Sequence, residues 1–206
     1  MAPVVPDPDR IRGFADAAAF EAWLAEHHAS ETELWLKIGK KGSPEPSVTY
    51  AEALDVALCW GWIDGLKKSF DSAAFLQRFT PRQPKSIWSQ VNRDHVARLV
   101  SAGRMTPHGQ RHVDAAKADG RWDAAYASGS AMTMPEDLLA AINANPLAAQ
   151  TFAGLNKTNR YALAFRVQGV KTAATRAKKI ASYVEMLARG ETIHPNGKGT
   201  AGAAGD

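Results

Sequence analysis

Within residues 60–92 (WGWIDGLKKSFDSAAFLQRFTPRQPKSIWSQVN) fall three of the six tryptophans, a carboxylate at Asp64 with a second, Asp71, in the predicted turn, and the cations Lys67, Lys68, Arg78, Arg82 and Lys85. Guanidinium forks and a helix N-terminus both hold phosphates and carboxylates, because each offers convergent N–H donors to a negative oxygen. The spacing predicts two strands joined by a tight turn, which would set Asp64 opposite Arg78. Arg82 and Lys85 then extend from a proline-bracketed loop, with Ser86 where a helix begins and Asn92 just beyond. Trp62 or Trp88 would stack on a planar group, and Trp60 is assigned to the core. The candidate ligand site is therefore Trp62, Asp64, Arg78, Arg82, Lys85, Ser86, Trp88 and Asn92. Its ligand class is a small anion. The plainer alternative spends Asp64 on an arginine and the tryptophans on core. A single carboxylate with no partner base is thin equipment for acid–base catalysis, so no catalytic residue is assigned.

Other reactive side chains carry less. Cys59 lies on an apolar helix with no cation beside it, which reads as an inert buried thiol. His108 and His112 share one helix face, but HGQRH lacks the glutamate of the metalloprotease motif and no third ligand is evident, so no metal is assigned. His27 and His28 are adjacent and diverge. KKGSPEP fits no phosphate-loop template, and no cofactor is assigned.

The elements that must position these residues follow from periodicity and caps. Asp16 caps a helix bearing Phe20, Trp23 and Leu24. Residues 33–40 alternate as a strand with one buried face, Leu34, Leu36 and Ile38. Thr49 and Glu52 form a capping box for an apolar helix that Gly61 ends. Strands 62–70 and 74–80 form an antiparallel hairpin, with Trp62, Asp64, Leu66, Lys68 and Phe70 on one face. A helix is predicted from about Ser86, with Asn92 as a second cap for residues 93–101. Thr106–Pro107 opens another. Thr133 with Glu136, then Asn145, Thr158 and Thr172, cap the later helices. The fold class is α+β: a small, mainly antiparallel sheet of three or four strands packed by helices, with a helical C-terminal half. The predicted divisions are an extended lead-in over 1–13, an α+β core over 14–121, a helical module over 122–193 and a disordered tail over 194–206.

Charge is segmented along the 206 residues. Residues 61–121 carry 11 Lys/Arg against 5 Asp/Glu, and residues 155–189 carry 8 against 1. Residues 1–60 are acidic, with 10 Asp/Glu against 5 Lys/Arg. Such blocks suit anionic ligands or internal pairing between segments. The basic C-terminal residues Arg160, Arg166, Lys171, Arg176, Lys178, Lys179 and Arg189 make nucleic acid, or a protein partner, the alternative contact. The single cysteine fits a reducing compartment, no secretory signal is read at the N-terminus, and no apolar run is long enough for membrane insertion; the expected location is cytoplasmic.

The combination AWLAEHH, ELWLKIGKKGS, TYAEALDVALCWGWIDG, RFTPRQPKSIWSQVN and AGRMTPHG resembles the bacterial YdeI/OmpD-associated family. The segment FAGLNKTNRYALAFRVQGVKTAATRAKKIASYVEMLARG is similar to that family's helical module. The likeness spans about residues 14–193. It implies a cytoplasmic bacterial protein linked by family name to bacteriocin protection and to an outer-membrane porin, and it brings no catalytic residues. One position departs: the family usually has glutamate before the Thr–Arg pair, where this chain has Ala174 before Thr175 and Arg176.

Overall fold

A computed structural model describes residues 4–127, 132–170 and 172–196. The chain divides into two compact units, Met1–Ala125 and Tyr126–Asp206.

The first unit is built on a four-stranded sheet of order β1-β2-β4-β3. Its strands are β1 (Ile11–Gly13), β2 (Leu34–Gly39), β3 (Trp62–Ser69) and β4 (Ala74–Pro81). β2–β4 and β3–β4 pair antiparallel and β1–β2 pairs parallel, so the sheet is mixed. Within the predicted extended lead-in, a 3-10 turn at Pro8–Arg10 leads into β1. Three residues with a single apolar member give too little alternation for that strand to be read. Four helices complete the unit: α1 (Ala17–His27), α2 (Tyr50–Cys59), α3 (Gln90–Ser101) and α4 (Pro107–Ala118).

One face of the sheet packs on α1 and α2 through Leu34, Leu36, Ile38, Trp62, Phe79, Phe20, Leu24, Val56 and Ala57. Full burial of a side chain such as Leu36 or Phe79 contributes about 2 kcal/mol. The far side of α2 turns Leu54, Leu58 and Cys59 toward Val96 and Leu99 of α3 and Val113 of α4, with Trp88 among them. α2 is thereby buried around most of its circumference, as its composition predicts. Its capping box forms: the Thr49 side chain accepts from the Glu52 N–H, and Glu52 accepts from the Thr49 N–H at 2.9 Å. β2 differs from expectation, since Trp35 on its second face is as buried as Leu34 and Leu36.

The predicted alternation of β3 breaks at a bulge. Asp64 pairs with Phe79 and Lys67 with Gln77, leaving Gly65 and Leu66 both opposite Arg78. The extra residue reverses the phase, so Lys67 and Ser69, rather than Leu66 and Lys68, follow Asp64's face. The buried Gln77 side chain donates to the Gly65 carbonyl at 3.0 Å and the Leu66 carbonyl at 3.4 Å, satisfying oxygens that the bulge takes out of the ladder.

No helix begins at Ser86. α3 starts at Gln90, where the Ser89 side chain caps the Asn92 N–H at 3.1 Å. Prolines 81 and 84 keep the preceding loop out of helical conformation.

The second unit contains α5 (Glu136–Asn143), α6 (Pro146–Ala153), α7 (Lys157–Gln168) and α8 (Ala173–Ala188). Its core is Leu138, Ile142, Ala148, Leu163, Val167, Ile180, Tyr183 and Leu187. Asn145 and Thr172 cap α6 and α8. Two predicted caps do not form: Pro135 precedes α5 with no side-chain cap, and Asn156 rather than Thr158 caps α7. Of the predicted tail, residues 194–196 are held in place: the His194 N–H donates to buried Asn159 at 2.9 Å, and Asn196 donates to the Gly154 carbonyl at 2.8 Å. Residues 197–206 lie outside the described residues.

Candidate functional site

The eight sequence-predicted site residues separate into two groups within the first unit. Trp62, Asp64 and Arg78 belong to the sheet. Trp62 is core, 1% exposed, with its ring edge-on to Trp23 and its indole N–H donating to the His28 carbonyl at 3.2 Å. Asp64 does not meet Arg78. It accepts from the Tyr50 hydroxyl at 2.7 Å, and Arg78 pairs with Glu33 at 2.6 Å. The pairing register explains this: Asp64 is opposite Phe79 on the core side of the sheet, whereas Arg78 is opposite Trp35 on the other. Burial, followed by the hydrogen bond and charge of Asp64, pushes the Tyr50 phenol well above its ordinary range.

Arg82, Ser86 and Trp88 do come together. The TPRQPKSIW loop folds back so that the Arg82 guanidinium lies 3.7 Å from the Trp88 ring centroid and donates to the Ile87 carbonyl at 2.9 Å. The Arg82 backbone N–H donates to the Gly61 carbonyl at 2.9 Å, fixing the loop to the end of α2. Both side chains are buried. Ser86 holds the turn, its hydroxyl accepting from the Gln83 N–H at 3.1 Å. Lys85 is exposed, and Asn92 contributes its backbone N–H to the Ser89 cap.

Sequence reasoning missed residues that complete this cluster. Trp122 meets Trp88 edge-on at 4.9 Å, with Arg93 and Lys117 against it at 5.2 and 5.5 Å from the ring centroid. Arg121 donates to the Ser86 carbonyl at 2.7 Å and pairs with Asp119 at 2.8 Å. His112 has its imidazole pushed below the usual range by burial, then by Arg111, Arg82 and Arg121. Trp88 Nε1 and Arg93 Nε are buried donors without an acceptor among the described residues. The alternation of indole and guanidinium across 82–93 and 121–122 is the signal that would have found them.

Trp60, expected in the core, is instead half-buried. It stacks on His108 at 5.5 Å, and its N–H donates to Glu21 at 3.3 Å. His108 meets His28 rather than His112. Cys59 is buried, and burial pushes its thiol up to about 11. Asp55 of α2 accepts from His95 at 2.7 Å and from Arg98 at 2.6 Å, tying α2 to α3.

Two clefts lie elsewhere, and neither includes any of the eight residues. One, of about 470 Å³, is lined by Phe14, Lys37, Ser43, Glu45 and Asp71 among others. The second, of about 700 Å³, lies in the helical unit between α5 and α8, with Asp137 and Arg176 at its polar end. The basic C-terminal residues are largely spent internally. Arg176 grips Asp137 at 2.6 and 2.8 Å, Arg160 donates to carbonyls at the end of α6, and Arg189 pairs with Glu191 at 2.8 Å. Arg166 and Lys178 are exposed, and Lys171 lies outside the described residues. No group of three or more His, Cys, Asp or Glu able to hold a metal occurs among the described residues, and no helix among them is long and apolar enough to cross a membrane.

Comparisons with known proteins divide along the same chain. Residues 12–112 match the model of a domain of unknown function, DUF8412. Residues 131–190, the span of α5 to α8, match the model described as "Bacteriocin-protection, YdeI or OmpD-Associated". No curated protein and no solved structure matches the chain. The likeness to the YdeI/OmpD-associated family is thus shown over residues 131–190, a partial match to the chain.

Proposed function

We propose that this protein is a cytoplasmic binder of a small anion, held at the cluster of Arg82, Ser86, Trp88, Arg93, Arg121 and Trp122, with the bacteriocin protection of its family description as the setting. The observation that carries this reading is the pair of buried donors, Trp88 Nε1 and Arg93 Nε, that lack an acceptor among the described residues. A buried N–H without an acceptor costs about 1–3 kcal/mol, and an oxyanion seated between indole and guanidinium would recover that. Asp119 already offsets part of the positive charge, which favours an anion of low charge. Asp64 and Arg78, engaged by Tyr50 and Glu33, have no part in it.

Titration with sulfate, phosphate and acetate, followed by tryptophan fluorescence, tests the reading. A saturable change is expected in the wild type and in Arg78→Ala, and its loss in Arg93→Ala and Arg82→Ala variants whose circular dichroism is unchanged. A response that never saturates, or that survives in Arg93→Ala, would sink it. Nucleic-acid contact through α7 and α8 is the weaker reading, since Arg160, Arg176 and Arg189 are already bonded within the unit.

A further inference from the structure

The end of α1 and the start of α4 bring two imidazoles from 80 positions apart into contact. His28 Nδ1 lies 3.0 Å from the Leu24 carbonyl, a partner that can only accept, so that nitrogen carries the proton. The His28 Nε2 lone pair then faces His108 Nδ1 at 3.1 Å. Trp60 flanks both rings, 5.1 Å from His28 and stacked on His108. Both histidines are half-buried.

This is the spacing of a chelate. Two metal–nitrogen bonds of about 2.05 Å at a tetrahedral angle place their nitrogens about 3.3 Å apart, so the pair needs to open by a few tenths of an ångström while each ring turns by about 35° to aim its lone pair at the metal. The His28 N–H held by a backbone carbonyl is the outer contact that orients metal-binding imidazoles. Two nitrogens and no carboxylate select a borderline d-block ion over magnesium or calcium. No third His, Cys, Asp or Glu completes a set among the described residues, so the other positions fall to water or an incoming ligand.

We infer that His28 and His108 form a two-histidine site for a divalent cation of the zinc and nickel class, walled by Trp60. On binding, the His108 proton moves from Nδ1 to Nε2; both rings stay neutral and no proton is released. The inference is independent of the anion site.

Calorimetric titration with NiCl₂ and ZnCl₂ at neutral pH tests it, with MgCl₂ as a control. One equivalent should bind to the wild type and to His27→Gln, with affinity at least about tenfold lower in His28→Gln and in His108→Gln. Absence of binding to the wild type, or wild-type affinity in either variant, overturns it. Should a variant fail to fold, histidine NMR of the wild type decides: Ni²⁺ must broaden His28 and His108 first, and earlier broadening of His27, His95, His112 or His194 overturns the site.

Discussion

Gly109 of α4 lies directly against the Cys59 carbonyl at the end of α2, and the Thr106 hydroxyl donates to the same oxygen at 2.6 Å. The last carbonyls of a helix lack intrahelical donors. Here the first turn of a second helix supplies one. The two segments CWGW and MTPHG therefore interlock. Gly61 adopts φ +75° and passes so close to α4 that a Cβ would sit 2.7 Å from the His108 carbonyl oxygen and 2.8 Å from the His112 ring. His108, one residue before Gly109, is turned onto Trp60 by the same junction.

Gly109→Ala should accordingly destabilise the first unit by about 3 kcal/mol, because the added carbon meets backbone oxygens of Cys59 and Leu58 that cannot rotate away. Gly103→Ala is the control: it adds a carbon into open space and carries only the left-handed strain of φ +65°, about 1 kcal/mol. Urea unfolding of both variants gives the comparison. Equal losses would mean that the helix junction is looser than these contacts require.

Gln77→Leu should cost about 1–3 kcal/mol despite near-constant volume, since it strips the donor from the Gly65 and Leu66 carbonyls and leaves them beside a buried side chain. The loss is expected to be local. Amide exchange should quicken across β3 and β4 while α1 stays protected; unchanged exchange in the hairpin would contradict the role given to Gln77.

What the sequence made legible was what local chemistry determines. The caps at Asp16, Thr49, Thr106, Asn145 and Thr172 act through neighbours three residues away, and all five form. What stayed hidden depends on distant partners. The bulge at Gly65–Leu66 is a property of two strands, so alternation read along one of them places Lys67 and Lys68 on the wrong faces. Trp62 lies in the core and Trp60 only at its edge, against the expected order, with Gly61 at φ +75° between them. The indole–guanidinium cluster needs Arg121 and Trp122, some 35 residues beyond Ser86, and no local pattern announces that contact.

His112 offers a readout of anion binding that does not depend on fluorescence. Its imidazole is lowered by burial and by Arg111, Arg82 and Arg121. A negative charge seated among those arginines offsets the last two, so the His112 titration should move up when sulfate or phosphate is present. Histidine NMR across pH measures the movement, and a stationary His112 in saturating anion would contradict binding at this cluster.

Asp55 should make the first unit acid-sensitive. Burial works against its charged form, yet hydrogen bonds from Arg98 and His95 outweigh that and hold the carboxyl below its ordinary value of 3.8. A carboxyl lowered in the folded state stabilises it fully above the unfolded-state value, and that contribution fades as pH falls through the folded one. The α2–α3 contact should therefore hold through neutral pH and weaken below about pH 4. Asp55→Ala should cost about 2 kcal/mol near neutrality, the scale of a charge-assisted hydrogen bond to a part-buried group. Its stability curve should converge on the wild type's as pH falls. Parallel curves from neutral pH to the acid limit would mean that the carboxylate contributes through packing alone.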